Sequence, residues 1–229
     1  MASAVTVDLY DWAFNIDGTV YSSPATYSPP NPGQLPVSIN DGGFSFSNVQ
    51  GSGGGLGTII LTLGTPGTHN VVAFFDHEID EAINTYFNEY GATNGPPGIG
   101  QSWEIDEPYL FGDIYTHLLA GSLDNSNGVP STTPDDVSMA MGGNFTLASG
   151  ETAVLTLLLS ETAPTSGFYL KHRDLDSNYD LYFSGTLETL GGQAPVPEPG
   201  TMLLLGSGLA GLVGFGRKKF IRKRSYWTI

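Results

Sequence analysis

The chain has 229 residues with 23 acidic and 8 basic side chains, a formal charge of −15, and none of the cations stands before Lys171. Residues 1–200 hold all 23 carboxylates and only two cations, a charge of about −21 that repels phosphate backbones and argues against nucleic-acid binding. At 40% hydrophobic and 11% aromatic the chain is too apolar for an acidic disordered tail, and the absence of cysteine excludes disulfides, thiolate metal sites and a thiol nucleophile.

In chain order, Ala2-Ser3-Ala4 fits a small-x-small cleavage site, so residues 1–4 read as the remnant of a signal peptide, with the mature chain starting near Val5. Val5 to Trp12 alternates as a strand, and Asp17-Gly18 supplies a hairpin turn before Thr19-Val20-Tyr21. Residues 22–36 contain five prolines and read as a loop. Phe44 to Phe46, Leu56 to Leu63, Val71 to Phe75, Val137 to Met141, Ala153 to Leu159, Phe168 to Lys171 and Tyr179 to Leu187 continue a series of short strand-like runs separated by turn residues. The series predicts a mainly β chain, an antiparallel β-sandwich or jelly roll over residues 5–190. Between Ile79 and Tyr90 the spacing of Ile79, Ile83, Phe87 and Tyr90 predicts a short helix ending at Gly91.

Two acidic clusters could bind calcium. Strand alternation over Asp76-His77-Glu78-Ile79-Asp80 would place Asp76, Glu78 and Asp80 on one face, with His77 pointing the other way; three carboxylates suit a hard cation. Asp174, Asp176, Asn178 and Asp180 follow the opening rhythm of a calcium loop, but Tyr179 replaces the turn glycine and Gly185 the closing glutamate, so an Asx-rich turn explains them equally. Calcium is therefore the one cofactor the sequence raises. Catalytic patterns are missing. There is no His-Glu-x-x-His pair, Gly100-Gln101-Ser102-Trp103-Glu104 lacks the second glycine of a nucleophile elbow, and Gly51 to Gly57 is followed by strand-like sequence where a phosphate loop needs a helix. Glu104 with Asp106 or Glu107 could serve a glycosidase, and Tyr10, Trp12, Trp103 and Tyr109 could stack on sugars, yet composition alone produces such pairs and strands use such aromatics in their cores. A non-enzymatic protein is expected, with a carbohydrate-binding module or carbohydrate-active hydrolase as the alternative.

The C-terminus is more explicit. Residues 191–200 form a linker containing Ala194-Pro195-Val196-Pro197-Glu198-Pro199-Gly200, whose prolines favour an extended, accessible chain. The uncharged run 201–216 reads as a short transmembrane helix, rising about 24 Å against a hydrocarbon core of about 30 Å. Arg217, Lys218, Lys219, Arg222, Lys223 and Arg224 follow, placing the tail 217–229 in the cytoplasm by the positive-inside rule. These three parts, in this order, resemble the PEP-CTERM protein-sorting signal of exopolysaccharide-producing Gram-negative bacteria, which also goes under an ice-binding protein C-terminal label. The resemblance implies that Val196, Pro197, Glu198 and Pro199 are recognition residues for a membrane-embedded exosortase. It further implies a precursor anchored in the inner membrane, then a cell-surface or extracellular product, with extracellular polysaccharide as an expected partner. The runs Phe74 to Glu81, Gln101 to Pro108 and Ser166 to Leu170 also resemble stretches of PEP-CTERM ectodomains that carry no assigned activity.

Overall fold

The computed structural model describes residues 5–23, 33–47, 53–80, 85–108 and 111–192, together with Leu204 and Ser207. Residues 1–191 form one compact unit and 192–229 a second; the fold below is that of the first. Its elements are β1 (Val7–Ile16), β2 (Thr19–Ser22), β3 (Ile39–Asn40), β4 (Gly57–Leu63), β5 (Gly67–Ile79), a 3-10 turn (Tyr86–Asn88), β6 (Glu89–Asn94), β7 (Gln101–Asp106), α1 (Ile114–Ala120), β8 (Ser138–Leu147), β9 (Glu151–Ser160), β10 (Tyr169–Asp174) and β11 (Tyr179–Gly191). The strands make a five-stranded sheet, ordered β2-β1-β5-β8-β7, and a six-stranded sheet, ordered β3-β4-β9-β11-β10-β6. Every pairing between these strands is antiparallel, so the chain is a mainly β, two-sheet sandwich.

Between the sheets, Trp12, Phe14, Phe75, Met139 and Ile105 of the first pack against Ile59, Leu61, Leu157, Leu159, Leu170, Leu181 and Phe183 of the second. The first sheet is buried on its other face too. There Ala13, Val72, Phe74 and Ala140 pack under Ile114 and Leu118 of α1 and under Leu123. Hence β1 and β5 are almost continuously apolar or buried, whereas β9, covered on one face, alternates. The last carbonyls of α1 are taken up by the sheet beneath: Asn15 Nδ2 donates to Leu118 O (2.8 Å), and Asn70 Nδ2 to Gly121 O (2.9 Å). Gly121, at φ 68°, ends the helix in the left-handed conformation that glycine adopts without strain.

The hairpin turn at Asp17-Gly18 forms as expected, with φ of 53° and 84°. The helix expected from Ile79 to Tyr90 does not form across that span: Ile79 is the last residue of β5, Asp80 leaves the strand at φ 56°, Tyr86–Asn88 is a single 3-10 turn, and Glu89 opens β6. The reason is tertiary. Pairing of β5 with β1 runs through Val7↔Ile79, burying Ile79 in the inter-sheet core, while Phe87 stays exposed, so the helical spacing corresponds to no common apolar face. Residues 81–84 lie outside the described set.

Among the described residues no helix is long and apolar enough to cross a membrane. The expected linker, the span 201–216 and the basic cluster lie outside those residues, apart from Gly191 and Gly192 and the helical Leu204 and Ser207. The four residues expected to be a signal-peptide remnant also lie outside them.

Candidate functional site

The site is built by strand register. Asp76 of β5 stands opposite Asp11 of β1 and Ser138 of β8, and Glu78 stands opposite Asp8. By alternation these side chains take the parity of Phe74 and Val72, the face that carries α1. A bulge at Tyr10 makes this possible: the register steps from Leu9↔His77 to Asp11↔Asp76, putting Leu9 in the inter-sheet core and Asp11 beside Asp76. Asp136, two residues before β8, completes the group. One carboxylate oxygen each from Asp76, Glu78 and Asp136 lies within 4.8 Å of the others.

Asp76 is 1% exposed, and its Oδ1 has no hydrogen-bond partner among the described residues. Burial, followed by the charges of Asp136, Glu78, Asp11 and Glu89, pushes the Asp76 carboxyl well above the usual range. Burial and then Glu89 push Asp136 up to about 7. Asp11 is anchored, accepting from Trp12 N (2.6 Å) and from Ser23 Oγ. Glu89 enters from the second sheet through a backbone bridge to Asp135 (2.9 and 3.2 Å), and its Oε2 receives His172 Nε2 at 2.6 Å. Burial pulls His172 down to about 4, so this contact is a hydrogen bond from a neutral imidazole. His77 points away from the trio, as expected, with Nε2–H donating to Gly55 O (2.9 Å).

Of the expected calcium ligands, the structure brings Asp76 and Glu78 together and adds Asp136, 58 positions beyond Glu78. It leaves out Asp80, whose positive φ breaks the alternation. The second expected set is spent on a hairpin. Asp174 Oδ1 accepts from Asp176 N (2.9 Å) and Oδ2 from Ser177 N (3.1 Å), an Asx turn. Asn178 accepts from Arg173 Nη2, and Asp180 Oδ1 is 3.0 Å from both Lys171 Nζ and Arg173 Nη1. These cations hold the Asp180 carboxyl below the usual range although burial opposes them.

The acidic residues considered for a glycosidase hold α1 in place. Glu104 is fully buried and accepts from Asp124 N (3.3 Å), while His117 Nδ1 lies 2.9 and 3.0 Å from its two oxygens. Asp106 Oδ2 accepts from Asp113 N (2.7 Å) at the helix start. Glu104, Asp113, His117 and Asp124 also gather within 4.8 Å, but Glu104 already has partners for both oxygens. Glu107 is pushed up by burial and by Asp135 and Asp106. The aromatic residues do not form one platform: Trp12 is in the core against Phe46 and Phe14, Trp103 packs on Phe168, Tyr10 projects from the bulge, and Tyr109 is outside the described residues.

Burial pushes Glu104 up to about 7 against the hydrogen bond of His117, and the bond to Glu104 raises His117. Both groups hold protons more tightly folded than unfolded; the stabilisation from Glu104 is complete below about pH 4.5 and is lost as pH rises through about 7. Glu104→Gln, which cannot titrate, is expected to gain up to about 2 kcal/mol relative to the parent between pH 5 and pH 8. Urea melts of the two chains across that range check this, and a difference independent of pH would refute it.

Toward the other end of β5 lies an apolar cleft of about 480 Å³, lined by residues including Val71, Met141, Leu155, Leu157, Phe168 and Leu187. Comparison with known families matches residues 195–218 to the PEP-CTERM protein-sorting motif. The chain carries a PEP-CTERM sorting signal. The PEP-CTERM match takes in Val196, Pro197, Glu198 and Pro199, the apolar run, and the first two cations, Arg217 and Lys218; all of these but Leu204 and Ser207 are outside the described residues. A PEP-CTERM signal marks an exosortase-targeted surface protein, made as a membrane-anchored precursor. No curated protein and no solved structure matches the chain.

Proposed function

We propose that this is a non-catalytic surface or matrix component, delivered by its PEP-CTERM signal and associated with exopolysaccharide. The PEP-CTERM match at residues 195–218 carries the reading. In it, residues 201–216 hold the precursor in the inner membrane with the basic tail in the cytoplasm, and the exosortase recognises Pro197-Glu198-Pro199 in the extended linker. The sandwich then reaches the surface. Its charge of about −21 over residues 1–200 keeps it soluble and sets it against cation-bridged acidic polymers.

A hydrolase is the second reading, favoured by the position of Glu104 near pH 7, a value suited to a general acid. Against it, Glu104 is fully buried and bonded to His117. The experiment replaces Pro197-Glu198-Pro199 with alanines in a host that possesses an exosortase, with an epitope in the ectodomain. Loss of the processed surface form is expected, and unchanged processing would remove the claim. Incubating the parent with the host's own polymer separates binding from turnover: retention without cleavage is expected, and cleavage that disappears in Glu104→Gln would establish the hydrolase.

A further inference from the structure

We propose that Asp76, Glu78 and Asp136 form a binding site for one hard divalent cation, Ca²⁺. The first observation is convergence: three carboxylates from β5 and from the segment entering β8 bring oxygens within 4.8 Å of one another. Three points so spaced fit within a circle of radius about 2.8 Å, which admits calcium–oxygen bonds of roughly 2.3–2.6 Å. The second is Asp76 itself, 1% exposed with Oδ1 lacking any hydrogen-bond partner among the described residues. A buried carboxylate oxygen left without a donor is costly unless the group takes up a proton or a cation meets it.

The third is the charge inventory. Asp11 and Glu89 add negative field at Asp76. Residues 1–200 contain two cations, Lys171 and Arg173, and both are bound to Asp180. Lys171 and Arg173 are thus engaged at the β10–β11 hairpin. The three donors are all oxygen, which favours Ca²⁺ over the softer metals that choose imidazole or thiolate. The arrangement differs from any local loop motif, since Asp76 and Asp136 are joined only through the pairing of β5 with β8. Binding therefore requires the folded sheet and stabilises it.

The test uses the full chain in detergent, stripped with chelator and titrated calorimetrically with CaCl₂ at constant ionic strength. One saturable site is expected, with Kd in the range of about 10⁻⁴–10⁻³ M typical of extracellular calcium modules. The melting temperature is expected to rise in CaCl₂ and not in NaCl of matched ionic strength. Asp76→Asn and Asp136→Asn are each expected to weaken binding by at least about tenfold, and Asp80→Asn to leave it unchanged. Equal melting temperatures in the two salts, or full affinity in both Asp76→Asn and Asp136→Asn, would overturn the site. The parent titration decides independently of whether either variant folds.

Discussion

Phe75→Ala is expected to cost about 3–5 kcal/mol, the range for removing a fully buried phenylalanine. Phe75 is fully buried at the middle of the inter-sheet core. Its ring meets Phe183 of the opposite sheet edge-on at 5.3 Å, Phe44 at 5.5 Å and Phe14 at 5.8 Å. Truncation removes contacts to both layers at once, and neighbours held by strand pairing on β1, β5 and β11 cannot collapse into the space. Phe87→Ala is the matched control, because Phe87 is 59% exposed on the 3-10 turn and should change stability by no more than about 0.5 kcal/mol. Urea denaturation of the three chains gives the comparison; a Phe75→Ala cost no larger than that of Phe87→Ala would mean that the sheets do not pack here.

The second large effect is expected at Gly55. Its φ is 79°, and a Cβ there would clash with His77 Nε2 and stand 2.8 Å from Leu9 Cβ. Gly55→Ala therefore combines a left-handed alanine with displacement of His77, which the 2.9 Å bond to Gly55 O anchors. The expected loss is about 2–4 kcal/mol. Gly18 supplies the control: it too has positive φ, 84°, but no atom lies within 4 Å of its Cβ position, so Gly18→Ala carries backbone strain alone. If the two substitutions cost the same, the contact between the Gly55 turn and His77 contributes nothing. The His77 imidazole is pulled down to about 3 by burial. It takes up a proton on unfolding below about pH 6.5, so its contribution is present above that pH and fades as pH falls toward 3.

What could be read from the linear chain was what is encoded locally. The hairpin at Asp17-Gly18 and the single-face alternation of β9 are short-range patterns, and the sorting signal is a contiguous string matched as such at residues 195–218. The carboxylate cluster was half legible for the same reason: Asp76 and Glu78 are two apart on one strand, but Asp136 joins them through the β5–β8 register. Asp80 was misplaced because alternation cannot show where a strand ends, and its φ of 56° ends β5 one residue earlier. Nor could alternation reveal the bulge at Tyr10, which reverses the phase of β1 and moves Asp11 onto the face of Asp76. The helix α1 was missed because seven residues offer one buried i, i+4 pair, Ile114 and Leu118, and the usable signal was Gly121 just beyond them. In β7, Glu104 and Asp106 drew attention as an acid pair, whereas their partners, His117 and the Asp113 amide, belong to a helix the sequence reading did not contain.

Whether this chain is an exosortase substrate is decided by following one epitope-tagged chain in two otherwise identical hosts, with and without the exosortase. With the enzyme, the ectodomain is expected at the cell surface or in the medium as a shortened form lacking the C-terminal basic cluster. Without it, the full-length precursor is expected to accumulate in the inner-membrane fraction. The same size and the same fractionation in both hosts would contradict the account.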